Sequence, residues 1–449
     1  MRNLKYIVIL TFFSQLFTVN TFAQTTYTLQ QCINFALKNH RSLKVADNDV
    51  KVAYARKKEG QSAYFPQING IARWDYNIQL QQSALPNEFV QLGQLLGQSF
   101  PNTVAFGNNF TTILGVQLDQ FLYNKSYIDG INAIKPSYEL SELKKVKTEE
   151  EVIYNTVVAY YQILFINEQE KLLLQNQTRL SKTIPIVKLQ YEKGVAKKMD
   201  LDRVQVNLNN ILANQEILKT KKELAFNNLK YNMSFSLDST IAIDTNYSKE
   251  LIDLNTYSDT ANIKNKIELK LLRKNLQLQS VLYKKTQAAY FPVLSFYAKY
   301  AGQTLGNKFA ESFKHWSPIA ALGIKLEVPI FDGFRTQSAL KQAKLNIESI
   351  KENVSMTEEG LKLQMKNSET QYSEAVKNID INKTNMDLAR NILDVVTLQF
   401  QKGVIGYSDL LSSESAYKEA ELNYLSSYVD LLNAKLEIDK ANGNLNKYK

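Results

Sequence analysis

The chain states one design twice, in the same order both times. Gln61-Ser-Ala-Tyr-Phe-Pro66 recurs as Gln287-Ala-Ala-Tyr-Phe-Pro292, and Leu114-Gly-Val-Gln-Leu-Asp119 as Leu322-Gly-Ile-Lys-Leu-Glu327. A third segment, Val187-Lys-Leu-Gln-Tyr-Glu-Lys-Gly-Val195, recurs as Val396-Thr-Leu-Gln-Phe-Gln-Lys-Gly-Val404. The offsets are 226, 208 and 209. Collinear self-similarity of this kind makes each half one structural unit. The drop of 18 after the first match puts a longer connection in the first half, between Pro66 and Gly115. The near-constant spacing from the second match to the third marks a rigid element.

After each Tyr-Phe-Pro the hydrophobic period becomes two. Ile68, Gly70, Ala72, Trp74, Tyr76 and Ile78 alternate with Gln67, Asn69, Ile71, Arg73, Asp75 and Asn77. Phe110, Thr112, Leu114, Val116 and Leu118 alternate with Thr111, Gly115, Gln117 and Asp119. In the second half Leu294, Phe296, Ala298 and Tyr300, then Ala320, Leu322, Ile324, Leu326 and Val328, face away from Ser295, Lys299, Lys325 and Glu327. The pattern predicts four strands, at about 67–78, 110–123, 293–302 and 318–330, each apolar on one face. Ten residues suit a tilted transmembrane strand. Trp74, Tyr76, Phe121, Tyr123, Tyr300 and Phe331 cluster toward the strand ends, as interfacial aromatics would. An antiparallel sheet packed on a soluble core is the competing reading.

Between the second and third matches the period is that of a helix. Tyr372, Ala375, Ile379, Asn382, Met386, Ala389, Leu393, Val396 and Phe400 lie three and four apart, and Leu410, Ser413, Tyr417, Ala420, Tyr424, Ser427, Leu431, Ala434 and Ile438 resume the spacing past Gly403. The first half has Leu201, Val204, Leu208, Ile211, Gln215, Leu218, Lys222, Ala225 and Leu229. This is coiled-coil spacing. Gly and Pro together are 24 residues, about half their average usage, as long helices with few turns require. The domain reading is a first repeat at 24–232, with a helix, two strands, a long helix about 124–193 and a return helix about 199–232. A linker at 233–260 follows. The second repeat, 261–449, has its long helix about 333–402 and return helix about 408–441. An arm of some 70 residues is roughly 105 Å of helix at 1.5 Å per residue, with Pro136 and Pro185 as candidate kinks.

Residues 1–23 form a secretory signal peptide: Arg2 and Lys5, an apolar run from Tyr6, and small residues at Thr21 and Ala23 before the cut. The apolar run is too short to span a membrane and contains Ser14 and Gln15. Export removes a nucleic-acid reading of the net charge of +10. One Cys (Cys32) and two distant His (His40, His315) leave no material for a disulfide framework, a thiolate cluster or a metal centre. Without a Gly-rich phosphate loop, a His-x-x-x-His pair or a Cys-x-x-Cys, no catalytic, cofactor or metal site is expected. His40 reads as a helix-end residue, His315 as part of the loop between the last two strands, and Cys32 as a small buried hydrophobe.

A sheet in lipid can leave no edge unpaired, because each orphaned backbone group costs several kcal/mol there. Four strands enclose nothing, so copies of the chain must share one barrel. Polar inner faces imply a water-filled lumen, which the amphipathic helices would continue away from the membrane. Pattern does not fix the number of copies.

The chain resembles the TolC-like outer membrane efflux proteins over almost all of its mature length. The resemblance rests on Tyr27-Thr-Leu-Gln-Gln-Cys-Ile-Asn-Phe-Ala-Leu-Lys-Asn39 as first helix, the paired Ala-Tyr-Phe-Pro motifs, Phe331-Asp-Gly333 at the exit of the last strand, and the paired Lys-Gly-Val turns. It implies a mainly α protein: a homotrimer with a long antiparallel coiled-coil α-barrel and a shared 12-stranded transmembrane β-barrel. It also implies a passive, porin-like exit duct in the outer membrane of a Gram-negative bacterium, reaching into the periplasm. A periplasmic adaptor would dock it and an inner-membrane transporter would power it. Gly194, Val195, Ala196, Gly403, Val404 and Ile405 would be the tips that meet the adaptor, or ordinary helix–helix turns. Asp409 matches an aspartate whose ring narrows the periplasmic entrance, and Asp200 is its first-half counterpart. Such a ring attracts cations, whereas an aspartate at a helix start also serves as a cap. The chain departs from the family's type member at Ser412, where a second aspartate is usual. It departs again at Phe400 and Ile405, which replace a Tyr and an Arg of the gate latch. A periplasmic coiled-coil adaptor or scaffold is the alternative; it would share the helical hairpins but need no strands with an unbroken apolar face.

Overall fold

The structure is a computed structural model that describes residues 26–62, 64–88, 91, 95–97, 103–244 and 263–449. The signal peptide at 1–23 and residues 245–260 of the linker lie outside the described residues. The elements in chain order are β1 (Thr26–Tyr27), α1 (Leu29–Asn39), α2 (Arg41–Ser62), β2 (Gln67–Tyr76), β3 (Gln81–Ala84), β4 (Thr103–Phe106), β5 (Phe110–Asn124), α3 (Lys125–Asn132), α4 (Ile134–Glu192) and α5 (Lys198–Met233). They continue as β6 (Ala242–Ile243), α6 (Ile267–Gln287), β7 (Val293–Gly306), β8 (Ser317–Glu327), α7 (Arg335–Gln401) and α8 (Tyr407–Ala441). The chain divides into two compact units, one of residues 49–141 and 272–353, the other of 26–48, 142–271 and 354–449 where described.

The first of these holds an antiparallel sheet in the order β2-β5-β7-β8. Each half contributes one hairpin, and the β5–β7 pairing joins them. Register keeps the alternation intact across all four strands. Ile68, Leu118, Ala298 and Leu322 share a row, as do Gly70, Val116, Tyr300 and Ala320. On the opposite face Asn69, Gln117, Lys299 and Ala321 share another. A bulge in β5 between Phe121 and Tyr123 slips this register near the strand end. A second hairpin, β3–β4, lies within the longer connection of the first half, where periodicity gives no signal. Strand β7 runs to Gly306, four residues beyond its expected end, and β8 stops at Glu327.

In the other unit α1 packs into the main apolar core with the middle of α4, the end of α5 and the C-terminal residues. Cys32, Ile33, Ala36, Tyr160, Ile163, Leu229, Met233, Leu436 and Leu445 are among its buried members. The Tyr160 hydroxyl donates to the Asp244 carbonyl at 2.8 Å, and β1 pairs in parallel with β6, both unannounced in the sequence. Thr28 and Gln31 form a capping box at the start of α1. His40 ends that helix in an extended conformation, so the expected first helix is two helices, α1 and α2. Burial lowers the His40 pKa, and burial pushes the Cys32 thiol up to about 12, a buried inert group as expected.

The expected long helix of the first half is jointed at Ala133, between α3 and α4. Pro136 occupies the first turn of α4, where its missing N–H breaks no bond, and α4 continues through Pro185. Helices α4 and α5 form a hairpin. Lys222 Nζ donates to Glu170 at 2.6 Å and Gln215 to Gln177 at 2.9 Å, and both pairs are equidistant in sequence from Ala196 in the turn. The predicted heptad of α5 is its buried stripe: Val204, Ile211, Leu218 and Ala225. On α7 the buried positions are likewise Ala375, Ile379, Leu393 and Phe400.

Candidate functional site

The sheet has an inside and an outside although one chain cannot close it. In the two outer strands, β2 and β8, the residues that are not exposed are Ile71, Asp75, Ile319 and Gly323. All four lie on the odd-numbered face, which is therefore the concave one. The repeated Gly115 and Gly323 sit on this face and let it curl. A Cβ at Gly115 would lie 2.4 Å from the Ala301 Cβ, and one at Gly323 would lie 2.7 Å from the Tyr297 hydroxyl. The convex face is bare: Ile68, Val116, Leu322, Ile324 and Leu326 are all exposed, Leu322 by 78%. Nothing among the described residues covers it, which removes the packed soluble sheet.

Aromatic clusters border the convex face. At one end Trp74 lies 5.7 Å from Phe110 and 5.8 Å from Phe309, with Tyr76 4.9 Å from Phe110. At the other Tyr64 and Phe121 meet Tyr127, and Phe331 meets Phe334 at 5.5 Å. Along β7, Leu294 to Gly306 spans about 40 Å, or about 28 Å vertically at a ~45° tilt, close to the height of an outer-membrane apolar band. Two expected girdle residues stand elsewhere. Tyr300 is at mid-face because β7 is longer than its pattern, and Phe121 pairs with Ser295 in a row of the concave face. The bulge then returns Tyr123 to the row of Leu294 on the convex side.

The two Lys-Gly-Val turns are the same structure. Gly194 and Gly403 both have φ +73° in open space. Gly194 N–H bonds the Tyr191 carbonyl and Val195 N–H the Gln190 carbonyl; Gly403 and Val404 do the same to Phe400 and Gln399. This is the Schellman termination of a helix, which calls for Gly at the left-handed position. Its usual hydrophobic seal is missing, for Val195 is 75% and Val404 71% exposed. Ala196 and Ile405 are half-buried.

Asp200 and Asp409 occupy the third position of α5 and α8, not the N-cap, which is Lys197 and Gly406. They differ in use. Asp200 accepts the Lys197 N–H at 3.2 Å and lies 3.8 Å from Arg203 Nη1. Asp409 is exposed and makes no hydrogen bond or ion pair among the described residues; Ser412 is exposed beside it. Arg203 Nη1 donates to Ser408 Oγ at 2.9 Å, tying the starts of α5 and α8 together. Phe400 and Ile405 belong to the apolar cluster beneath, which holds Val187, Val204, Leu393, Tyr407 and Leu410, with Phe400 and Tyr407 edge to face at 6.1 Å.

Sequence reading passed over a polar layer on the far side of that cluster. Arg179 of α4 lies over the Tyr417 ring, 5.2 Å from its centroid, and the Tyr417 hydroxyl donates to Glu421 at 2.9 Å. Burial raises the pKa of Glu414 and of Glu421 against the opposing charge of Arg179. The signal was a seven-residue spacing of Glu414 and Glu421 beside Tyr417, one position from the small residues Ser413 and Ala420 taken as the seam.

A bare apolar convex face, a polar concave face and two open edges define an outer membrane pore protein of the shared-barrel type. The chain belongs to the outer membrane efflux protein family, matching it over residues 32–231 and 262–444. It is 18% identical over 433 residues to the outer membrane protein TolC of Vibrio cholerae, covering 93% of this chain and 91% of that protein. Its fold is similar to the CmeC outer membrane channel of Campylobacter jejuni, with a TM-score of 0.72 and 18% identity over 93% of this chain and 85% of that one. The outer membrane protein VceC of Vibrio cholerae gives a TM-score of 0.72 at 15% identity, over 92% and 96%. The protein is an efflux channel of the outer membrane, extending into the periplasm, in a family of channels and not of enzymes.

Proposed function

We propose that three copies of this chain close a 12-stranded barrel and act as the passive exit duct of a tripartite efflux system, docked by a periplasmic adaptor and fed by an inner-membrane transporter. The single observation that carries this is the four-stranded sheet with both edges free and its convex side uncovered. An edge in hydrocarbon is too costly to leave open, and a second copy's sheet is the surface that matches it. The exposed valines of the two tips, Val195 and Val404, together with Gly194, Ala196, Gly403 and Ile405, are the adaptor's contact. Asp409, free of local partners, forms the charged ring at the entrance. Asp200 is engaged as a helix-start acceptor and positions the turn. With Ser412 in place of a second carboxylate, and Phe400 and Ile405 packed in the apolar cluster, the closed state is held by packing and not by a polar latch.

The test is single-channel recording of the detergent-purified protein in a planar bilayer. Stable unitary steps are expected, with a cation preference that Asp409→Ala reduces. No steps from a protein that stays soluble without detergent would sink the duct in favour of the adaptor reading, and unchanged reversal potentials in Asp409→Ala would sink the ring alone.

A further inference from the structure

The concave face is not uniformly polar. One row across the sheet reads Ile71, Gly115, Ala301, Ile319, and Ile113 follows in the next. Ala301 is 2% exposed, and the missing side chain at Gly115 leaves the two isoleucines as the relief of that row. The adjacent row toward the helices, about 7 Å away, presents Asn69, Gln117 and Lys299. Lys299 makes no ion pair among the described residues, and the charges around it are already engaged. Both Asp119 oxygens accept from Gln117 Nε2 at 3.1 Å, Arg73 bonds Asp75 at 2.6 Å, and Lys325 is paired with Glu327.

A free ammonium one row from an apolar collar, on a face that would otherwise be wetted, is a two-part recognition surface. We propose that the concave face carries a subsite for amphiphilic anions, with the carboxylate or sulfonate head at Lys299 and the apolar body against Ile71, Ile113 and Ile319. The inference rests on the barrel reading, which makes this face the lumen and repeats the subsite in each copy. It gives the duct a substrate class. A molecule with an apolar body and one negative group lingers at this level, while small inorganic ions and neutral solutes pass. Apolar contact supplies most of the retention, and the charge sets orientation and selectivity.

The probe is 1-naphthalenesulfonate, with inorganic sulfate as the anion lacking an apolar body, added to single channels in a planar bilayer. Naphthalenesulfonate is expected to reduce the unitary current in a concentration- and voltage-dependent way, and sulfate is not. Lys299→Gln and Ile319→Ser should each weaken the block by about tenfold, as loss of a charge-assisted contact or of a buried apolar one would, and Lys299→Arg should keep it. Equal block in wild type, Lys299→Gln and Ile319→Ser, or equal block by sulfate, overturns the subsite while the unitary steps still support the barrel. Absence of steps in the wild type overturns the barrel and the subsite with it.

Discussion

Two kinds of glycine carry this fold, and they fail differently. Gly194 and Gly403 are needed for their backbone angle alone, since φ is +73° and nothing lies within 4 Å of an added Cβ. Gly115 is needed for space, since its Cβ would fall 2.4 Å from the Tyr300 carbonyl oxygen and 2.5 Å from the Ala301 Cα, atoms that cannot step aside. Gly403→Ala should therefore cost about 1–2 kcal/mol, the penalty for a left-handed L-residue, and Gly403→Asn less. Gly115→Ala should cost more than either, because the β5–β7 pairing itself must shift. Thermal midpoints of the detergent-solubilised proteins rank the three. Gly115→Ala as the mildest of them would show that the strands there are not in close contact. The same residue scale explains why Asp200 and Asp409, equivalent in the repeat, part company: only Asp200 has a backbone donor to satisfy.

The seam between the hairpins α4–α5 and α7–α8 is apolar around Phe400 and polar around Glu421, and that difference has a pH signature. The folded-state pKa of Glu414 lies above the ordinary carboxylate value of 4.5, with burial as the main cause. The folded form thus holds a proton that the unfolded chain has released, and this contribution to stability is lost as pH rises above 4.5. Glu414→Gln removes the titration. Its thermal midpoint should exceed that of the wild type at pH 7.5 and converge with it near pH 4.5; parallel pH profiles would refute the burial argument. Element by element, the helices were legible because a heptad such as Val204, Ile211, Leu218, Ala225 is written in side chains that must be buried. The strands were legible because lipid on one side and water on the other force strict alternation. What escaped was what periodicity does not encode. The joint at Ala133 and the two-residue pairing of β1 with β6 are set by tertiary packing, and the seam at Glu414 and Glu421 hides because a buried carboxylate looks like a solvated one. Tyr300 was misplaced for a simpler reason: alternation locates a face well and a strand end poorly.

For the whole molecule the decisive asymmetry is between two adjacent residues. Val116 stands at the middle of the convex face, in the row of Gly70 and Tyr300, and Gln117 stands behind it, in the row of Asn69 and Lys299. If three sheets close around water, lipid meets Val116 and solvent meets Gln117. An arginine at the first position then carries its charge to the bilayer midplane at a cost of about 2–4 kcal/mol per chain, and three chains incur it together. An arginine at the second position enters the lumen and joins an existing lysine ring at little cost. Val116→Arg should abolish recovery of the assembled oligomer from outer membranes, as read by size-exclusion chromatography in detergent, while Gln117→Arg should assemble as the wild type does. The reverse ranking would turn the sheet inside out, and equal tolerance at both sites would mean that neither face touches lipid. The pair separates assembly from transport, because neither residue lies in the helical turns where the adaptor is proposed to dock. A loss seen for Val116→Arg alone is therefore a loss of the membrane-embedded wall, the one part of the duct that a single chain cannot build.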